Sequence, residues 1–211
     1  MRPLEPIPVA EVSTSDIKAL REATGAGIMD VKAALTEAKG DSDVAADILR
    51  KKGLADAAKR ADRSNDQGTI GHYLHVQAER PVVGVLVELR CETDFVAKSE
   101  EFREAAKNLA MHIAAFKPGW VRREDVPEDV IAKEREIAGE QAKNEGKPDN
   151  VIERIIDGRL EAFMKDNVLY EQNFVKADVY DGTVKVMLDE MSGRLGENIG
   201  VGKMSRVAVG E

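Results

Sequence analysis

Residues 81–102 read PVVGVLVELRCETDFVAKSEEF, and the fold follows from how this stretch is divided. Its first half, up to Cys91, is rich in valine and leucine, which predicts a buried strand. From Ser99 onward, apolar residues recur at helical spacing until Pro118, which predicts a helix with one face in the core. A small sheet with helices packed against it is an α+β fold, and we predict that class. The residues on the apolar face of the helix are Phe102, Ala105, Ala106, Leu109, Ile113 and Phe116.

The segment before this strand has the same character. GTIGHYLHVQ at residues 68–77 is β-branched and aromatic, and only a few polar residues separate it from Pro81. Two such segments in succession predict an antiparallel hairpin. The remaining predicted elements are two helices opened by Pro127 and Pro148, a loop at 170–182, a short helix after Thr183 and a closing strand at 198–209.

Three short helices are predicted in the first part of the chain, because each helical pattern is followed by a glycine. We expect the first helix to end at Gly25 and Gly27, the second at Gly40 and the third before Gly53. Residues 55–63, ADAAKRADR, then continue as a charged helical linker. Three helices of this length predict a compact bundle rather than part of a sheet.

Changes in composition divide the chain into four segments. Three prolines within the first eight residues predict a flexible lead-in over residues 1–13. The predicted helical bundle occupies residues 14–54, and the linker helix occupies residues 55–67. Residues 68–211 form the predicted core domain with the sheet.

The composition argues against several classes of protein. With 43% hydrophobic and 33% charged residues, the chain is globular rather than disordered. Its net charge of −8 argues against a nucleic-acid-binding surface, which needs clustered positive charge. The single cysteine, Cys91, permits no internal disulfide and is typical of a reducing compartment. Since neither a signal peptide nor a long apolar run stands out, we expect a cytoplasmic protein that does not contact membranes.

No pattern of catalytic or metal-binding residues stands out in the sequence. His72 and His75 are three residues apart on a predicted strand, which places them on opposite faces and argues against a shared metal site. Cys91, at the end of a strand, is more typical of a small buried hydrophobe than of a nucleophile. The acidic residues Glu88, Glu92 and Asp94 are expected to form a solvated rim, and no phosphate-binding glycine loop is present. We therefore predict no catalytic residue, no metal and no cofactor.

Phe95 has two placements open to it. If one helix runs unbroken from Asp94, Phe95 lies two helical turns before Phe102 and shares its buried stripe. If Ser99 is the N-cap of a new helix, that phase is lost and Phe95 protrudes. Periodicity alone favours the buried placement.

Four stretches of the sequence stand out: the two long ones are LREATGAGIMDVKAAL at residues 20–35 and ELRCETDFVAK at residues 88–98, and the two shorter ones are NEGKP at 144–148 and GENIGV at 196–201. They resemble the bacterial elongation factor Ts family, and the two long ones resemble its signatures. The similarity runs in family order from about residue 14 to residue 209, and the length resembles that of short members with one core repeat. Arg90 and Ala33 depart from the family pattern, at positions peripheral to the implied contacts.

This resemblance implies a fold and a function. Residues 14–54 are then a ubiquitin-associated-like three-helix domain, and the protein is a guanine nucleotide exchange factor for elongation factor Tu. It would bind the GDP-bound and nucleotide-free forms of that partner and no nucleotide itself. In the family, one loop enters the GTPase domain of the partner and dislocates the Mg²⁺ that bridges the phosphates, an ion that demands near-ideal geometry. The corresponding loop residues here are Thr93, Asp94, Phe95 and Val96.

The same resemblance implies that Phe95 is an exposed wedge and that the helix breaks before Ser99. It also implies further contacts with the partner outside the loop. For Met29 a second interpretation stays open, in which the side chain packs on its own bundle. The residues implied in these further contacts are Arg21, Ile28, Met29 and His75.

We also predict a homodimer, because longer relatives have two core repeats and this chain has one. A second copy would supply the second core and cover the exposed face of the sheet, with a two-fold axis as the simplest closed arrangement. Two other functions stay open. The first is a non-catalytic binding adaptor that uses the helical domain, and the second, which the sequence favours less, is a hydrolase that uses Cys91. The adaptor hypothesis gives the loop at residues 93–96 no role.

Overall fold

The structure is a computed structural model that describes residues 12–211. Residues 1–11 of the predicted flexible lead-in lie outside the described residues. The α+β class is confirmed, since helices accompany a three-stranded sheet. The helices are α1 (Thr14–Thr24), α2 (Ile28–Glu37), α3 (Ser42–Arg60), α4 (Asp94–Lys98), α5 (Glu100–Phe116), α6 (Glu128–Asn144), α7 (Asp149–Asn167) and α8 (Val184–Leu195), and the strands are β1 (Gln67–Gln77), β2 (Arg80–Cys91) and β3 (Gly200–Ala208).

Contacts between residues group the described chain into two units. One unit consists of residues 12–63 with 189–198, and the other of residues 64–188 with 199–211. The first contains the helices of the predicted bundle, and the second contains the sheet with α4 to α7. The ubiquitin-associated-like character of the bundle and the domain boundaries expected from composition stay predictions.

The bundle of α1, α2 and α3 encloses a small apolar core. Ser13 caps α1 in a reciprocal capping box with Asp16, and Gly25 ends the helix in the left-handed conformation, with a φ of 68°. The N–H of Gly40 donates to the carbonyl of Leu35 and closes the turn after α2. The predicted helix stops at Gly25 and Gly40 are therefore confirmed. The buried residues of this core are Leu20, Val31, Ala34, Leu35, Ala45 and Leu49.

The predicted end of the third helix before Gly53 is wrong. α3 continues without a break through Gly53 to Arg60, so that much of the predicted linker at 55–63 is the last part of α3. A Cβ built on Gly193 of α8 would lie only 3.0 Å from the Cα of Gly53. Gly53 is therefore a point of close approach between two helix backbones within the first unit, not a stop signal.

The second unit is built on an antiparallel sheet with the strand order β1-β2-β3. The predicted hairpin and the closing strand are both confirmed. A Cβ on Gly71, which pairs with Val87, would meet the carbonyl oxygen of Ala106 at 2.1 Å, so this inner face of the sheet lies directly against α5. The residues of β2 that are buried on the inner face are Val85, Val87, Leu89 and Cys91.

The opposite face of the sheet, here called the outer face, carries exposed apolar side chains. Leu74 pairs with Gly84, and Gly84 pairs with Val207, so the two apolar side chains flank a glycine in one row across the sheet. Because the side chains on this face are more than half exposed, a single chain leaves apolar sheet surface in contact with water. The exposed fractions are 57% for Ile70, 59% for Leu74, 56% for Leu86 and 71% for Val207.

α6 and α7 pack against each other as a helical hairpin with its own small core. Arg135 of α6 forms ion pairs with Glu153 and Asp157 of α7, at 3.1 and 3.0 Å. These exposed pairs contribute little stability individually, so the apolar contacts hold the hairpin together. The buried residues between the two helices are Ala138, Ala142, Ile152 and Ile156.

A fully buried histidine joins α5 to the segment after α7. The backbone N–H of Val175 donates to Nδ1 of His112 at 3.1 Å, so that Nε2 carries the proton and donates to the side-chain oxygen of Gln172 at 2.9 Å. The ring also stacks on Phe116 and Phe174, with centroid distances of 4.9 and 5.7 Å. Burial lowers the pKa of His112, which keeps the imidazole neutral and able to accept the Val175 hydrogen bond.

We expect the stability of the protein to fall as the pH drops from about 7.5 to 5.5. The pKa of His112 in the folded chain is lower than the ordinary value of about 6.5. As the pH falls through this range, the unfolded chain therefore binds more protons than the folded chain, and the free energy of unfolding decreases. Urea unfolding at the two pH values measures the loss.

A histidine replacement separates His112 from other groups in this experiment. His112→Asn should flatten the pH dependence over this window, whereas His72→Asn, which leaves the buried ring intact, should retain it. An equal pH dependence in the His112 variant would assign the effect to another group.

Candidate functional site

The corner between β2 and α5, residues 92–99, is held by two capping residues. The side chain of Thr93 accepts a hydrogen bond from the N–H of Val96 at the start of α4. Ser99 ends α4 and is also the N-cap of α5, where its side chain accepts from the N–H of Phe102 at 3.3 Å. The predicted helix break at Ser99 is therefore confirmed, and α4 is a separate helix of five residues.

Phe95 points into solvent from this short helix. Its exposed fraction is 86%, whereas Phe102 on α5 is completely buried. The buried placement that periodicity favours is wrong, because the break at Ser99 removes Phe95 from the stripe of α5. A phenylalanine this exposed contributes no core packing to the free protein.

Asp94, next to Phe95, is paired within α4. Its carboxylate lies 2.5 Å from Nζ of Lys98, one helical turn further on. The hydrogen bond from Lys98, together with its positive charge, lowers the pKa of Asp94. The corner thus presents an exposed aromatic ring beside a carboxylate that stays ionised at neutral pH.

Cys91 lies beneath the corner and is fully buried. Its thiol donates to the backbone carbonyl of Thr93 at 3.2 Å. The prediction of a small buried hydrophobe is confirmed. A thiol in this position is out of reach of a substrate, which argues against the hydrolase hypothesis.

The other residues implied in partner contacts lie on exposed surfaces of both units. In the first unit, Arg21 on α1 is exposed, and Ile28 and Met29 at the start of α2 are 53% and 75% exposed. The interpretation that Met29 packs on its own bundle is therefore wrong. In the second unit, His75 is exposed on β1, with Nδ1 3.4 Å from the hydroxyl of Tyr73.

Lys98 is the residue of the corner that sequence reasoning missed. It was not among the implied contacts, although it stands four residues after Asp94 in the same predicted helix. That spacing places two side chains one turn apart on a helix and makes Asp94 a possible partner of Lys98. The sequence could not decide between this partner and solvent, because both side chains are exposed.

The described part of the chain has neither a metal-binding cluster nor a membrane-spanning helix. Within residues 12–211, no cluster of three or more His, Cys, Asp or Glu residues could hold a metal ion. No helix in that range is both long and apolar enough to cross a membrane.

The chain is similar to a family of translation factors over nearly its whole length. The family model described as Elongation factor TS matches residues 57–211. Elongation factor Ts of Moorella thermoacetica is 53% identical over 200 residues, which cover 95% of this chain and 96% of the relative. Elongation factor Ts of Fervidobacterium nodosum is 51% identical over 201 residues, or 95% and 100% of the two chains. For the protein of the same name from Solidesulfovibrio magneticus the identity is 49% over 203 residues, or 96% and 99%.

Proposed function

The chain belongs to the elongation factor Ts family, whose members are the guanine nucleotide exchange factors of elongation factor Tu, and we propose that residues 93–96 carry out this exchange. The observation that carries the proposal is the 86% exposure of Phe95 on a helix fixed at both ends. The roles of Thr93 and Val96 are to hold that helix, through the cap at its first turn.

An exposed phenylalanine in a fixed position is suited to anchoring a partner. Burying its ring in a pocket gains roughly 1.5–3 kcal/mol from apolar area alone. Because Thr93 and Ser99 already cap α4, the backbone that carries Phe95 loses little conformational freedom on binding. A few such anchors usually carry most of the binding energy of an interface.

We propose that Phe95 and Asp94 enter the GTPase domain of elongation factor Tu and shift the helix behind its nucleotide site. The shift would disturb the Mg²⁺ that accompanies GDP in that site. Because Mg²⁺ requires near-ideal octahedral geometry, a small displacement weakens both the ion and the nucleotide. By linkage, GDP and the exchange factor weaken each other's affinity for elongation factor Tu by the same multiple. The exchange factor therefore binds the GDP-bound partner more weakly than the nucleotide-free partner, but it binds both.

Additional contacts with elongation factor Tu are proposed for both units. The exposed Arg21, Ile28 and Met29 belong to the bundle at residues 14–54, for which a ubiquitin-associated-like domain is proposed, and His75 belongs to the sheet. These contacts add affinity and orient the factor, whereas exchange itself depends on the corner. As a translation factor, the protein is proposed to act in the cytoplasm, without covalent chemistry, nucleic acid or membrane.

The experiment that tests this function follows the release of fluorescent GDP from elongation factor Tu. Catalytic amounts of the protein should accelerate release, because one factor molecule dissociates and acts again. Binding without accelerated release at micromolar factor would contradict the exchange function and favour the adaptor hypothesis.

We further propose that the outer face of the sheet pairs with a second copy of the chain. Ile70, Leu74 and Leu86 form exposed apolar surface on adjacent strands. Two such faces related by a two-fold axis would bury this surface and bring together two core repeats. The association is non-covalent in this proposal, because Cys91 is buried on the inner face.

Leu86→Lys is expected to shift the protein from dimer to monomer, since it places a charge in the middle of the outer face. Light scattering at micromolar concentration measures the mass, and Val179→Lys, a change at an exposed loop residue, is the matched control. A monomer mass for the unaltered protein, with full exchange activity, would contradict the dimer.

A further inference from the structure

We infer that Lys98 is a positioning residue for nucleotide exchange, because it fixes the Asp94 carboxylate and the helical turn from which Phe95 projects. The inference rests on the proposed function of residues 93–96. It assigns a role to a side chain that has no place in the contacts proposed above.

The geometry of the pair supports this role. Nζ of Lys98 lies 2.5 Å from Oδ2 of Asp94, and the two residues are the last and the first of α4. The pair therefore spans the whole helix, with the acid N-terminal to the base, which is the favourable orientation for residues four apart.

α4 needs such support because it is short. A helix of five residues is not stable by itself, since the cost of nucleation exceeds the gain from its few hydrogen bonds. Thr93 and Ser99 cap its two ends through short side chains. The ion pair adds a link along the exposed side of the helix, where no core packing holds the backbone.

The charge of Lys98 matters again when the corner docks. Asp94 and Lys98 are 56% and 76% exposed, so water solvates both in the free protein. An interface that covers Asp94 removes that water, and a carboxylate without a partner is costly to bury. Lys98 enters with Asp94 and compensates its charge, so that docking does not depend on a cation from the partner.

A double-mutant cycle on GDP release tests this inference. Lys98→Met keeps most of the length of the side chain and removes its charge, and it should lower the exchange rate at limiting factor roughly fivefold, the upper limit for an exposed pair. The same change in an Asp94→Asn background should have almost no further effect, because the group that Lys98 positions is already altered. Lys98→Arg should restore most of the rate.

The controls separate the possible failures. Lys51→Met removes the base of another exposed pair at the same spacing, with Asp47 on α3, and should leave the rate unchanged. An equal loss from Lys98→Met in both backgrounds, or no loss in either, would overturn the role of Lys98 while leaving the exchange function intact. Full activity of Asp94→Asn would instead overturn both the proposed role of Asp94 and the inference that depends on it.

Discussion

Phe95→Ala is expected to lower the exchange rate at limiting factor by about 30-fold, which corresponds to roughly 2 kcal/mol for the loss of a central anchor. The thermal stability of the free protein should hardly change, because the ring is 86% exposed and packs on nothing in the core. Release of fluorescent GDP and a thermal melt of the same preparation measure the two effects.

The matched control for this variant is Phe116→Ala. Phe116 is a partly exposed phenylalanine of the second unit that lies at the far end of α5, where its ring stacks on His112, so its loss costs some stability without touching the corner. The control should leave the exchange rate unchanged. If Phe95→Ala exchanged GDP as fast as the unaltered protein, the anchor would have to be sought elsewhere, for example at Ile28 and Met29.

Phe102→Ala should have the opposite outcome. This ring is completely buried on α5, so its loss leaves a cavity that costs about 3–5 kcal/mol of unfolding free energy. For a chain of this size the cost corresponds to a fall in melting temperature of roughly 6–20 °C. A thermal melt or a urea titration measures it, and exchange at low temperature should decline only as far as folded protein is lost.

Phe102→Leu is the comparison that isolates the cavity. It keeps an apolar side chain of reduced volume and should cost clearly less than the alanine variant. A melting temperature for Phe102→Ala close to that of the unaltered protein would contradict the packing of α5 against the sheet.

The elements with the clearest periodicity could be predicted from the sequence alone. The hairpin of β1 and β2 is rich in β-branched and aromatic residues, and α5 has an apolar stripe that begins at Phe102, so the first follows from composition and the second from side-chain spacing. Gly53 could not be placed correctly, because a helix stop and a close approach of two helices demand the same residue. The approach depends on Gly193, which is distant in sequence.

The candidate site could be predicted only in part. The resemblance to a known family indicates residues 93–96 as the site. Periodicity alone places Phe95 in the core, because the spacing of apolar residues does not show that the cap at Ser99 starts a new helix. The double role of Ser99 follows from its backbone conformation, with a φ of −65° and a ψ of 149°, which no spacing rule predicts. The pairing of Asp94 with Lys98 depends on side-chain rotamers that the sequence leaves free.

The two caps of α4 also have a consequence for the speed of association. A loop that must fold before it docks is unable to bind during part of its encounters with the partner. Its apparent association rate is the rate of the folded loop multiplied by the fraction of time that the loop is folded. With Thr93 and Ser99 in place, the corner meets its partner already shaped. Each encounter can then proceed at the rate of rigid docking, about 10⁵–10⁷ M⁻¹ s⁻¹, which suits a factor that must find, release and find again a new partner molecule many times.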